Sequence, residues 1–140
     1  MNLRRAKKKR NRLGAATVEF AVCLPVLLAF VFGILEFSRL TQLKQTARLA
    51  AFEGARAGIS LNATNADVTT AVNDIMTAVS IPNYTTTISP NPIAYNSSSV
   101  SVTVSLDAIQ NAWITWFVRS SKTITANVTL QREIQSVSVP

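Results

Sequence analysis

The sequence contains no histidine and only one cysteine, and both shortages limit its chemistry. Without histidine the chain lacks the commonest metal ligand and the commonest general base. The acidic residues show no metal-ligand spacing, and there is no glycine-rich phosphate loop. We therefore expect no enzyme, no metal, no cofactor and no small-molecule substrate, with a Ser/Lys hydrolase using Lys122 as the remaining enzymatic alternative. The single cysteine, Cys23, means that any exported domain depends on its hydrophobic core rather than on a disulfide.

The basic residues are concentrated at the start of the chain. The net charge of +7 comes from 14 cations and 7 acids, and half of the cations precede residue 13. The remaining cations and acids balance. Because the cluster directly precedes an apolar run, it favours a cytoplasmic N-terminus under the positive-inside rule over binding to nucleic acid. The predicted membrane-orienting residues are Arg4, Arg5, Lys7, Lys8, Lys9, Arg10 and Arg12.

The run from Ala15 to Leu35 contains one charged residue, Glu19, and one hydroxyl, Thr17. At about 1.5 Å per residue, a helix of this length covers roughly 31 Å, the thickness of a bilayer's hydrocarbon core. The run is too long for the apolar core of a secretory signal and has no Ala-x-Ala cleavage site after it. We expect a basic cytoplasmic leader over residues 1–14, cleaved between Gly14 and Ala15, and a transmembrane helix over residues 15–36.

Glu19 is unusual because ionisable side chains within membrane spans are costly and are usually functional. Cleavage after Gly14 would leave an ammonium group on Ala15, which the Glu19 carboxylate can neutralise on its own stem or on a neighbouring one. The alternative is a Glu19 at the cytoplasmic interface that extends into water, with the span beginning at Phe20.

The helical pattern continues beyond the apolar run. Residues 37–60 are predicted to extend the helix, which ends near residue 58 and is continuous or kinked at Pro25. Glu53 and Arg56 are expected to form a solvated surface pair. One face consists of small residues that allow another helix or a sheet to approach closely, either this protein's own domain or a partner stem. These residues are Ala47, Ala51, Gly54 and Gly58.

Residues 61–140 are predicted to form an extracytoplasmic α+β domain. A second helix over residues 66–80 begins at a cap on Thr64 or Asn65, ends before Pro82 and has an apolar stripe. Alternating residues predict strands over 84–89, 100–106 and 123–132. Residues 107–118 form a short helix or an apolar loop, whose aromatic side chains are expected in the core or at the membrane interface. The stripe is Val68, Val72, Ile75, Met76 and Val79; the aromatic residues are Trp113, Trp116 and Phe117.

Residues 12–21 resemble the prepilin-peptidase site of the type IVb (Flp) pilins and pseudopilins. That site is a glycine, four small or apolar residues, a glutamate and an aromatic residue, here Gly14, Ala15 to Val18, Glu19 and Phe20. Residues 24–28, 32–39 and 47–56 resemble the TadE-like proteins of tight-adherence pilus assembly. The resemblance is strong over residues 12–58 and weak beyond, apart from a late strand ending in Gln131-Arg132-Glu133.

The resemblance implies a pilin-like fold and a minor pseudopilin that acts structurally in assembling or anchoring Flp pili. It implies a processing site at Gly14, Ala15, Glu19 and Phe20. The implied partners are prepilin peptidase, other pseudopilins or pilins, inner-membrane pilus assembly proteins and the lipid bilayer. The protein would cross the bacterial inner membrane once, with its C-terminal domain periplasmic or extracellular. The alternative is an unprocessed, signal-anchored surface or adhesive protein.

Overall fold

The computed structural model describes residues 13–94, 96–111 and 123–132. The chain divides between Leu35 and Glu36 into two compact units. A long apolar helix is followed by a short helix and a three-stranded antiparallel sheet, so the predicted α+β fold is confirmed. The elements are α1 (Leu13–Gly58), α2 (Asn65–Ala78), β1 (Tyr84–Ser89), β2 (Ser99–Asp107) and β3 (Thr123–Gln131).

Helix α1 contains the candidate membrane span. The helix passes through Pro25 without ending there, in agreement with the prediction of one helix at this position. An 18-residue window within it is long and apolar enough to cross a bilayer, and none of that window is buried. Most large apolar side chains of the first unit are accordingly exposed, among them Val18 at 65% and Ile34 at 68%, and Leu24 is partly exposed. Exposure over this length distinguishes the segment from the core helix of a soluble domain and fits a membrane anchor.

Both ends of α2 are stabilised by local hydrogen bonds. Thr64 is the N-cap of a capping box: its backbone N–H donates to Asp67 Oδ2 at 2.8 Å, and its hydroxyl accepts from the Asp67 N–H at 3.4 Å. At the other end Ser80 is left-handed, with φ of 54°, and the Ser80 and Ile81 N–H groups donate to the carbonyls of Thr77 and Met76. This is a Schellman arrangement, which closes the helix before Pro82.

The end of α2 changes one prediction about its apolar stripe. Val68, Val72 and Met76 are fully buried, as their spacing indicated, and Ile75 is partly buried. Val79 is 41% exposed, so its predicted place in the stripe is wrong. The reason is that the helix ends at Ala78 and Val79 is the C-cap, where the backbone leaves the helical path.

The capping box predicts a pH-dependent contribution to stability. Hydrogen bonds from the backbone N–H and then the hydroxyl of Thr64 hold the pKa of Asp67 below its ordinary value. A lowered folded-state pKa stabilises the fold fully above the unfolded pKa, about 4, and the contribution is lost as the pH falls through the folded value. We expect wild type to lose more stability than Asp67→Asn on acidification, measured by urea unfolding in detergent micelles. The matched control is Asp74→Asn on the same helix; equal acid responses of the two variants would contradict the role of the box.

The sheet is a meander in the order β1-β2-β3, with both pairs antiparallel. The alternating valines of β2 face the core, and Val102 lies opposite Ile88 on one side and Val128 on the other. The opposite face is hydroxyl-rich, and Asn127 Nδ2 donates across it to Thr103 Oγ1 at 2.6 Å. Strand β3 ends at Gln131, one residue before the predicted end, and Arg132 leaves the strand to make the contacts described below.

One hydroxyl on the inner face of β1 is unsatisfied. Within the described part of the chain, Thr86 Oγ1 is buried without a hydrogen-bond partner. Burying such a group typically costs about 1–3 kcal/mol. We expect Thr86→Val to raise the free energy of unfolding by about 1 kcal/mol, seen as a higher urea midpoint with an unchanged slope. The control is Thr87→Val on the exposed face of the same strand, where the expected change is within about 0.5 kcal/mol. A stabilisation of equal size at both positions would indicate β-propensity rather than relief of the buried hydroxyl.

The core of the second unit lies where α1, α2 and the sheet meet. The face of α1 that it uses is built largely from alanine, which lets the helix backbone come close to its neighbours. Larger side chains from α2 and β2 fill the space opposite. The buried core residues are Leu43, Ala47, Ala50, Ala51, Ala55, Val68, Val72, Met76, Ile81, Val100, Val102, Val104, Leu106 and Ala126.

Directly after β2, residues 108–111 form a turn. Most of the segment predicted as a short helix or an apolar loop, residues 107–118, lies outside the described residues. The Ile109 N–H donates to Asp107 Oδ1 at 2.8 Å, an Asx-type turn. Asn111 is 6% exposed, and its amide donates to the carbonyls of Asp107 at 2.9 Å and Asn83 at 3.0 Å. This ties the turn to the loop before β1. The aromatic residues Trp113, Trp116 and Phe117 lie outside the described residues.

Candidate functional site

The residues of the predicted processing site all lie at the start of α1. Gly14 and Ala15 are in its first turn, and Glu19 follows Ala15 by four residues, so the two lie one above the other on the helix surface. All are exposed, with Phe20 at 64%. No described atom lies within 4 Å of where a Cβ would stand on Gly14. A side chain at this position would therefore meet no described residue beyond its own stretch of helix.

The local backbone differs from the extended form in which a protease cleft would accept Gly14. The helix begins at Leu13, so the bond between Gly14 and Ala15 is helical here. The first four N–H groups of a helix have no intrahelical acceptor, and terminal turns open at a free-energy cost near zero. Opening this one turn would present the bond in extended form. The membrane-orienting residues lie outside the described residues: Arg4, Arg5, Lys7, Lys8, Lys9, Arg10 and Arg12.

The small residues of α1 are buried in the second unit. Ala47 and Ala51 are fully buried, and Gly54 and Gly58 are buried beside them. A Cβ on Gly54 would stand 2.7 Å from Val72 Cγ2. That is well inside van der Waals contact, so this position accommodates only glycine without a shift of the surrounding side chains.

Gly58 has the same role one turn later. A Cβ there would stand 2.8 Å from Val100 Cγ1 on β2 and 3.0 Å from Val68 Cγ2 on α2. The contact order, with Gly58 near Val68 and Gly54 near Val72, shows that α2 runs antiparallel to α1. Of the two alternatives that the sequence left open for this face, the structure places the protein's own domain against it. The neighbours at both glycines belong to the same chain.

Arg132 binds the carbonyl groups at the C-terminal end of α1. The Arg132 guanidinium donates to the carbonyls of Gly58 at 2.8 Å, Ile59 at 3.2 Å and Ser60 at 3.2 Å. It also donates to the Ala94 carbonyl at 3.4 Å. The terminal carbonyls of a helix lack intrahelical donors and carry the negative end of its dipole, so a cation is well matched to them. Arg132 thereby joins the end of β3 to the end of α1.

Sequence reasoning missed this contact. The residue was noted only as part of a late strand that resembled the family, and its strand position gave no signal that it reaches the end of another element. Gly58, Ile59 and Ser60 are more than 70 positions earlier and contribute backbone carbonyls to the contact. A pattern of side chains cannot identify a partner that is a carbonyl group.

The fold and the site define a class of protein. Among the described residues, one apolar helix is able to span a membrane, and the later half of this helix forms part of a small α+β domain. The family model of the TadE-like proteins matches residues 14–56, which lie wholly within α1. Over this segment the predicted resemblance is confirmed, and it associates the chain with the Tad/Flp pilus systems. Comparisons with curated proteins and with solved structures gave no match.

Proposed function

We propose that this protein is a TadE-like minor pseudopilin that acts structurally in assembling or anchoring Flp-type pili. It crosses the bacterial inner membrane once, with its N-terminus in the cytoplasm, and prepilin peptidase removes residues 1–14. Its partners are other pseudopilins or pilins, the inner-membrane assembly proteins and the lipid bilayer. The observation that carries the proposal is the extent of the family match: residues 14–56 begin at the proposed cleavage site and end within the packed glycine face.

The charge distribution supports the orientation and the cleavage. The cations before residue 13 keep that end in the cytoplasm. Removing residues 1–14 takes seven of the 14 cations with them and leaves the mature chain formally neutral. Cleavage before the span keeps the whole apolar helix in the product, whereas a conventional signal peptidase would remove it.

The role of Glu19 follows from its position relative to the new N-terminus. Ala15 would carry an ammonium group after cleavage, and a carboxylate four residues later lies on the same side of the helix. Such a pair lowers the cost of placing either charge near apolar surroundings. Pairing within one stem prepares that stem for insertion among others, and pairing between stems sets their register.

Intact mass of the membrane-extracted protein tests the cleavage. In cells with prepilin peptidase we expect a chain that begins at Ala15, and in cells without it a chain that begins at Met1 or Asn2. A full-length chain in the presence of the peptidase would favour the alternative of an unprocessed, signal-anchored surface or adhesive protein.

Replacing Glu19 by alanine tests the proposed assembly role. We expect Glu19→Ala to insert normally into the membrane but to reduce surface pili severely, because the Ala15 ammonium loses its counter-charge. The measurements are membrane fractionation, intact mass and a count of surface pili by electron microscopy. Glu53→Ala, which removes an equivalent charge from the domain part of α1, is the matched control. Normal pilus numbers in the Glu19→Ala strain would contradict an active role for this carboxylate.

A further inference from the structure

The face of α1 that turns away from the domain core carries an apolar centre with cations around it. We call it the Phe52 face, and it consists of Lys44, Arg48, Leu49, Phe52 and Arg56. Leu49 is 50% exposed and Phe52 is 44% exposed, although both belong to the compact second unit. Adjacent exposed apolar side chains with a polar rim are a feature of interaction sites, so the charges around this pair matter to its interpretation.

The spacing places these side chains side by side. Leu49 and Phe52 are three residues apart, and Arg48 and Arg56 stand one turn before and one turn after Phe52. Lys44 precedes Arg48 by a further turn. A phenylalanine between two arginines, with a leucine beside it, forms a compact apolar spot with a positive border.

The charge of this face is not neutralised by its neighbours on the helix. Between Lys44 and Arg56 the only acid is Glu53. Glu53 Oε2 lies 3.8 Å from Arg56 Nη1, with Arg56 69% exposed, so the predicted surface pair is confirmed. Exposed ion pairs at this distance contribute little to the stability of a protein. Three cations against one acid leave the face with a net charge of +2.

We propose that the Phe52 face is a docking surface for a helical segment of another protein that carries acidic side chains beside an apolar stripe. The apolar pair supplies the buried centre of the contact, and the arginines supply bidentate partners for carboxylates at its rim. Arginine is among the residue types that most often dominate binding energy at interfaces, and phenylalanine is enriched in interface cores.

Charge complementarity selects this occupant over a second copy of the chain. Two copies that meet through this face bring two surfaces of net charge +2 together, and like charges oppose that contact. An acidic partner gains from the same charges, both in the rate of encounter and in orientation. The proposal concerns the folded domain and does not depend on cleavage after Gly14.

Photo-crosslinking of the full chain in its own membranes tests the proposal. The photoreactive residue p-benzoylphenylalanine replaces Phe52 and retains its aromatic character, and the adduct is identified by mass spectrometry of the crosslinked peptide. We expect a segment of a different protein, with acidic residues within one helical turn of apolar ones. The Arg48→Glu/Arg56→Glu double variant should reduce the adduct roughly tenfold, equivalent to 1.4 kcal/mol. Protease resistance of the domain verifies that this variant remains folded, and Lys44→Glu alone should give a smaller reduction.

The control carries the same photoreactive residue at Val79, which is the C-cap of α2 and is 41% exposed. Equal adducts at both positions, an adduct only with a second copy or with lipid, insensitivity to charge reversal, or no adduct at position 52 would each overturn the proposal. The experiment is repeated in cells without prepilin peptidase. Persistence of the adduct there separates this interaction from the processing and pilus assembly proposed above.

Discussion

Replacing Gly54 by leucine is expected to abolish the native packing of the second unit. A Cβ at this position would stand 2.7 Å from Val72 Cγ2 and 3.4 Å from Val102 Cγ1. Val72 is fully buried and β-branched, so its side chain has few rotamers available and cannot swing aside. Overpacking in cores costs about 1–3 kcal/mol for added methylenes, and four heavy atoms placed between a helix and its neighbours should exceed about 3 kcal/mol.

The measurement is pulse proteolysis in urea on the full chain in detergent micelles, which reports the folded fraction of the domain. Gly33→Leu is the matched control, because it makes the same change in the same helix where no described atom lies within 4 Å of the Cβ position. The Gly54→Ala/Val72→Ala pair provides a second check: removing the two Val72 methyl groups should make the alanine better tolerated than it is with Val72 present. Wild-type resistance of Gly54→Leu would contradict the close approach of α1 to α2.

The second large effect is expected at Arg132. Arg132→Ala removes hydrogen bonds from the guanidinium to the carbonyls of Gly58, Ile59 and Ser60. Hydrogen bonds from a charged group contribute about 1.5–3 kcal/mol each when they are well protected. Because Arg132 is only partly buried, water can replace some of these contacts. We expect a total loss of about 2–3 kcal/mol in the free energy of unfolding.

Arg132→Lys distinguishes the geometry of the guanidinium from its charge. An ammonium group keeps the interaction with the helix dipole but cannot reach carbonyls in several directions at once, so it should recover less than half of the loss. Hydrogen exchange of the last turn of α1 should accelerate in Arg132→Ala. Arg56→Ala, which removes an exposed arginine from the same turn region, should change stability by less than about 0.5 kcal/mol. Equal effects at Arg56 and Arg132 would refute the assigned role.

Local pattern was enough to predict most of the elements. The alternation of Val100, Val102 and Val104 with serine and threonine predicted β2. Successive side chains of a strand point to opposite faces of the sheet, so alternating apolar and polar residues indicate a strand with one buried face. Thr64 was one of two predicted caps for α2, and the Asp67 carboxylate completes the box with it. The error at Val79 arose because its spacing continues the stripe, while the Schellman turn at Ser80 ends the helix one residue too early for that side chain to be buried.

The candidate site was only partly predictable. The cleavage motif from Gly14 to Phe20 is a local pattern, and processing there stays a prediction. The small-residue face was recognised from its spacing, but spacing cannot say what covers it. Val72 on α2 and Val102 on β2 both lie against Gly54. The spacing of residues along the sequence does not predict these contacts between different elements.

The amino-acid sequence alone was enough to predict an apolar helix long enough to span a membrane, the period of each element and the resemblance to the TadE-like family. These properties depend on neighbouring residues, since a helix face, a strand alternation and a hydropathic run are each set within a few turns. Only the folded structure showed that Gly54 and Gly58 of α1 pack against the protein's own domain. It also showed that Arg132 donates hydrogen bonds to the carbonyls at the end of that helix. Both depend on contacts between residues far apart in the chain, whose free energy comes from atoms that meet only after the chain has folded.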